Sequence, residues 1–253
     1  MFAVAQLHLR QMFAGSRRWL LLVCMAIPLP ILTLIRTQGE FRSPVEEQVQ
    51  TSVFLYAIYA LALPALASML YGTSIIGAEV QNQTLTYLFT RPIARWRVLM
   101  GKYLANVGIL VALTTLSLTI GWAIVGAVSA QNLAAIAVAT VFATATYNAV
   151  FALLGSIFTR RALIAGLAYL GVSEIALAWA PTFGRNFTAQ YHMRSIAFEL
   201  SDLEGMLRSE LRALVSEVTT PVAVASVLSL CAVALIATCW ITTSREFALT
   251  DDP

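Results

Sequence analysis

VLMGKYLANVGILVALTTLSLTIGWAIVGAVSAQNLAAIAVATVFATATYNAVFALLGSIF fills residues 98–158, and Lys102 is its one charged side chain. A bilayer core needs about 20 consecutive apolar residues for a helical crossing. Two such runs stand here, about 98–127 and about 133–158, with polar residues near Ser129–Asn132 turning the chain between them. The stretch reads as two crossings joined by a tight turn.

The same pattern extends in both directions. Of the 253 residues 59% are hydrophobic and only 11% charged. A soluble domain carries about 25% charged residues, so this chain cannot coat a water-facing surface of its size. Further apolar runs lie at about 19–35, 52–77, 163–180 and 221–243. Pro28 and Pro30 should bend the first and Pro64 the second, which is tolerated where neighbours re-satisfy the freed carbonyls. The fold class is therefore an all-α polytopic membrane protein with six transmembrane helices. With no repeat, linker or low-complexity tract, residues 1–253 read as a single transmembrane domain.

Residues 1–18 mix Phe2, Leu7, Leu9 and Phe13 with Arg10, Arg17 and Arg18. They are predicted to form an interfacial helix, apolar side down. Between the fifth and sixth spans, 182–219 is polar. Ile196, Leu200, Leu203, Leu207, Leu211, Leu214 and Val218 step along it at helical spacing. An amphipathic outer helix is predicted there, lying on the membrane, capping a path or meeting an extracytoplasmic partner.

Basic residues set orientation. Arg10, Arg17, Arg18, Arg91, Arg95, Arg97, Lys102, Arg160, Arg161 and Arg245 fall on one side. Arg36, Arg42, Arg185, Arg194, Arg208 and Arg212 fall on the other. The first side is the cytoplasmic one. The expectation is a multi-pass protein of the inner (plasma) membrane with both termini in the cytoplasm.

GAEVQNQTLTYLFTRPIARWRVLMGKY, residues 77–103, links the second and third spans on that side. Leu85, Leu88 and Phe89 fall on one helical face, with Gln81, Asn82, Gln83 and Thr86 elsewhere, as in a short interfacial helix. Pro92 ends it and opens the next helix. Arg91, Arg95 and Lys102 are spaced to reach phosphates or acidic groups. A rigid helix across two spans can transmit a push from the cytosol; a loop anchored to lipid headgroups has the same composition.

The stretch resembles the signature region of the ABC-2 permease family, the membrane subunits of ATP-binding-cassette exporters. Glu79 matches that family's acidic residue after the second span, and Thr84-Leu85 its Thr-Leu pair. Leu88 matches the leucine turn, Arg91-Pro92-Ile93 the proline turn, Arg95 the basic residue, and Gly101-Lys102 the final pair. Gln83 departs from the pattern, because a glycine often stands there. The chain is most similar to the smaller permeases that include the nitrous-oxide-reductase maturation type. The resemblance implies a cytoplasmic coupling helix formed by Glu79, Thr84, Leu85, Leu88, Arg91, Pro92, Arg95 and Lys102 against a nucleotide-binding ATPase subunit. It also implies a second permease copy, identical or related, and export as the direction. ATP and Mg would belong to the partner, with no cofactor bound by this chain.

Missing motifs agree with that division of labour. Gly101-Lys102 is followed by Tyr103, and Trp96 stands where a phosphate-binding loop needs its first glycine. No nucleophile elbow or zinc-protease motif occurs, and His8 and His192 are far apart. No metal site or catalytic residue is expected, nor a nucleic-acid surface. A membrane-embedded enzyme lacks a constellation to carry it. A scaffold or assembly factor without a transport path remains the alternative.

Two further features invite a role. Glu174 is a carboxylate inside the fifth apolar run, where it must face a cavity or a partner; it reads as a substrate or proton contact on the path, or as a protonated or hydrogen-bonded packing residue near the helix end. Pro64, Ser68 and Gly72 cluster on the second span, as a kink at the path or dimer seam or as plain helix packing.

Overall fold

The computed structural model describes residues 17–41, 43–75, 95–177, 183–201 and 218–244. Among these every regular element is helical. The elements are α1 (Arg17–Ala26), α2 (Pro28–Gln38), α3 (Pro44–Gly72), α4 (Arg95–Val125), α5 (Ala130–Ile157), α6 (Ala162–Leu177), α7 (Ala189–Glu199) and α8 (Thr220–Ser244). A 3-10 turn, Phe183–Phe187, precedes α7. Five units are long and apolar enough to cross a membrane: α1 with α2, α3, α4, α5 and α8. The shorter α6 is apolar over 16 residues, Ala162–Leu177. The expected interfacial helix of 1–18, the coupling helix and residues 203–217 of the outer stripe fall largely or wholly outside the described residues.

Apolar runs set the crossings, while capping chemistry sets their ends. α3 begins at Pro44, eight residues before the apolar run at 52. Ser43 in extended conformation accepts the Glu46 N–H at 3.2 Å, Pro44 takes the first helical position, and Glu46 and Glu47 fill the first turn. That is a strong helix start, so the stretch 36–50 is not the loop its polarity suggests. α5 starts one turn early for the same reason, with Ser129 accepting the Asn132 N–H.

The α4–α5 turn is held from three sides. Gly126 sits at φ 72°, a left-handed helix end that glycine adopts freely. Trp122 Nε1 donates to the Val128 carbonyl at 2.8 Å. Arg36 at the end of α2 donates to the Ile124 and Val125 carbonyls, covering the oxygens that α4 leaves open.

At Pro64 the second span changes register. Residues Ala57–Ala62 form π-helical turns, and the Leu63 N–H bonds to the Ile58 carbonyl. The next donor in that register would be Pro64, which has no N–H, so the Tyr59 carbonyl loses its partner. Thr140 Oγ1 of α5 reaches it at 3.0 Å, sharing its one proton with the Ile136 carbonyl at 2.7 Å. Thr140→Val should cost about 1–2 kcal/mol by stranding that oxygen. Pro64→Ala restores an N–H, so the cost of Thr140→Val should fall below about 0.5 kcal/mol in that background. A double-variant cycle of thermal melts checks this, and additive effects would refute it.

α5 is the central helix and packs against α3, α4, α6, α7 and α8. From Ala143 to Ser156 none of its residues is exposed. Small residues permit the closeness. A Cβ at Gly155 would lie 2.4 Å from the Thr73 carbonyl oxygen, and one at Gly72 would lie 3.0 Å from the Phe151 Cβ. Outward faces are apolar, with Trp19, Val23, Ile164, Ile175, Ile236 and Trp240 exposed.

The outer helix differs from expectation. α7 begins at Ala189, ends at Glu199 and is buried from Ala189 to Phe198. The Ser201 N–H turns back to the Phe198 carbonyl where α7 ends, and residues 203–217 of the stripe lie outside the described residues. α7 lies inside the bundle against α5 and α8, where polar side chains need internal partners.

Candidate functional site

Two regions gather the candidate residues. The first is the end of the bundle where α3 passes to α4 and α5 to α6. Glu79, Thr84, Leu85, Leu88, Arg91 and Pro92 lie outside the described residues, but both ends of their segment are placed. α3 closes at Gly72, and residues 73–75 continue it as a turn and a last helical step. Thr73 Oγ1 donates to the Met69 carbonyl at 2.6 Å. Arg95 is the first residue of α4. Lys102 is buried, and its Nζ donates to the Ile75 carbonyl at 3.4 Å. The lysine ties the start of α4 to the end of α3, fixing the two anchors of the segment relative to each other. Around them Trp96, Arg97, Arg160 and Arg161 are exposed. The Arg97 guanidinium lies 5.5 Å from the Trp96 ring centre. This end of the molecule therefore presents a cationic surface.

The second region lies inside the bundle and centres on Glu174. Its carboxylate is buried at 4% exposure. Oε1 accepts from Tyr169 Oη at 2.9 Å, from Ser173 Oγ at 3.4 Å and from the Ala189 N–H at 3.3 Å. Oε2 accepts from Tyr147 Oη and the Gln190 N–H, each at 2.9 Å. Every contact is a donor, which suits a group that only accepts. α6 is π-helical over Leu170–Leu177, and that wide winding surrounds Glu174.

Helical rise gives the depth. Tyr147 lies about 25 Å along α5 from Ala130, at 1.5 Å per residue. α7 starts beside it, through Glu174, and ends near the opposite end of α5, where Gln131 Nε2 donates to the Leu200 carbonyl at 3.4 Å. α7 thus runs from beside Tyr147 toward the end marked by the α4–α5 turn. Next to it Arg185 and Arg194 stack on Tyr191, at 5.0 and 5.7 Å from its ring centre. His192 Nε2 lies 2.8 Å from the Asn186 carbonyl oxygen.

Pro64, Ser68 and Gly72 are all buried. Ser68 Oγ accepts from Asn148 Nδ2 and donates to the Thr144 carbonyl, each at 3.4 Å. Asn148 Oδ1 in turn accepts from Asn106 Nδ2 at 3.4 Å. A polar bridge therefore joins α3, α5 and α4. Sequence reading singled out Ser68 and Glu174 but not Tyr147, Asn148, Asn106 or Tyr169. The signal was present: each is a polar side chain inside an apolar run, where a partner is obligatory.

Residues 16–171 match the family model described as "ABC-2 family transporter protein". The match takes in α1 to α6 as far as Gly171, with the whole 76–94 segment. No curated protein matches the chain.

Proposed function

Because the chain belongs to the ABC-2 family of transporter membrane proteins, we propose that it is a permease subunit driven by a separate nucleotide-binding ATPase, exporting its cargo. The family match across 76–94, the segment with the Thr-Leu pair and the Arg-Pro turn, carries this reading. ATP and Mg act on the partner. This chain contributes the lever: Glu79, Thr84, Leu85, Leu88, Arg91, Pro92 and Arg95 meet the ATPase, and Lys102 acts from behind by holding α4 to α3. The exposed Arg97, Arg160 and Arg161 extend the cationic docking face.

The finer topology belongs to the same proposal. The crossings are the five long units and a sixth at 163–180, built on α6. Both termini and the 76–94 segment face the cytoplasm of an inner-membrane protein, and 1–18 lies in the headgroup plane. The 182–219 region is then extracytoplasmic, with α7 dipping inward. Two permease copies bury some of the outward apolar face against each other and leave the rest to lipid.

Photo-crosslinkers at Thr84 and Leu88 in native membranes test the reading. The expected product is an adduct with an ATPase subunit. In the purified complex, Glu79→Gln should lower permease-dependent ATPase stimulation at least about tenfold, an effect of about 1.4 kcal/mol or more on coupling. Crosslinks that never capture an ATPase, or stimulation unchanged by Glu79→Gln, would sink it.

A further inference from the structure

The geometry points to Glu174 as the positioning residue that seats α7 inside the bundle, its carboxylate serving as the N-terminal cap that α7 lacks. This goes beyond the permease reading and does not rest on it; Glu174 and α7 lie past the matched residues 16–171.

The need for such a residue follows from α7 itself. Its sequence, AQYHMRSIAFE, carries glutamine, histidine, arginine and serine, yet Ala189 to Phe198 are buried. A helix leaves its first amides without internal partners, and away from water each must find an acceptor. Thr188 occupies the capping position in extended conformation, but its side chain caps nothing. Its hydroxyl donates instead to the Arg185 carbonyl at 2.8 Å. The Ala189 and Gln190 amides go to Glu174, from the preceding helix. Its oxygens, with their negative partial charge, also meet the positive end of the helix dipole. Tyr147 and Tyr169 fix the carboxylate from α5 and α6.

The far end repeats the device. Glu199, the last residue of α7, accepts from the Thr220 N–H and, at 2.7 Å, from Thr220 Oγ1 at the start of α8. α7 is thus held at one end by a carboxylate from α6 and at the other by its own carboxylate on α8. The first of these attachments is the buried one, and it decides how deep α7 sits.

Packing and capping make different predictions for Glu174→Gln. Glutamine keeps the volume, so a packing role would leave α7 in place. It replaces one acceptor oxygen with an NH2 group, which faces fixed donors on either side, and α7 should come loose. Amide hydrogen exchange of the full chain in lipid nanodiscs reads this. In Glu174→Gln the amides of 189–199 should exchange at least about tenfold faster than in the parent, while those of α5 change less than about threefold. Tyr147→Phe alone leaves Tyr169, Ser173 and both amides on the carboxylate, so α7 should stay protected to within about threefold of the parent. Unchanged exchange of α7 in Glu174→Gln, or equal release by Tyr147→Phe, would overturn the assignment. Should Glu174→Gln not fold, Glu174→Asp carries the test. Its carboxylate is one methylene short of the amides, so faster exchange confined to α7 supports the seat and unchanged exchange overturns it. The readout needs neither cargo nor ATPase. Failure of the permease reading would show instead as a missing ATPase whichever residue stands at 174.

Discussion

Gly155→Ala should lower the melting midpoint of the protein by on the order of 10 °C. The added Cβ would stand 2.4 Å from the Thr73 carbonyl oxygen and 3.0 Å from its carbonyl carbon and Cα. All three are backbone atoms, so no rotamer change relieves the clash, and α3 and α5 must separate. Overpacking of this kind costs about 1–3 kcal/mol, and the backbone partner puts Gly155 at the upper end. Separation also disturbs the turn at 73–75, where Lys102 holds the Ile75 carbonyl. Gly108→Ala is the control. Nothing lies within 4 Å of its Cβ position, and alanine is the better helix former by about 1 kcal/mol. That variant should melt at or slightly above the parent. Equal melts for the two alanine variants would refute the close α3–α5 contact.

Glu174→Leu should be the most damaging single change among the candidate residues, costing about 4 kcal/mol or more. Tyr147 and Tyr169 hydroxyls would lose their acceptor, as would the Ala189 and Gln190 amides. Each stranded buried donor costs about 1–3 kcal/mol. The hydroxyls can rotate to other oxygens; the amides are fixed by α7, so they dominate. A side chain whose only duty was to touch cargo would behave oppositely, because leucine at such a position should leave the melt unchanged and abolish transport. Melting and yield of Glu174→Leu therefore choose between the two roles the sequence left open.

Most of the architecture was readable from apolar run length, because lipid imposes one rule on every crossing. The 98–158 stretch became α4 and α5 with ends shifted by a few residues. Misplaced boundaries came from capping residues that hydropathy ignores. Ser43, Pro44 and Glu46 were a legible helix start inside a stretch judged polar. α7 was a harder case. Its residues look suited to a surface, and what makes them tolerable inside is a carboxylate 15 residues upstream, held by tyrosines from two other helices. No local periodicity encodes that partnership. Pro64 announced a bend, yet only the fold supplies Thr140 at the carbonyl that the change of register leaves open. Lys102 looked available to a partner by its position in the motif, whereas burial turns it into an internal tie. The residues of 76–94 stay legible through resemblance alone, since spacing could not tell a lever from a lipid-anchored loop.

The burial of α5 from Ala143 to Ser156 limits where a solute can go. Among the described residues, neighbours close around α5 over those four turns, so this helix itself presents no open wall there. A molecule passing this level would then meet the greasy outer flanks of the first, sixth and eighth helices rather than α5. On the permease reading proposed above, a conduit would form where two subunits, or a subunit and lipid, supply opposite walls. If that reading holds, one protomer isolated in detergent has half a doorway.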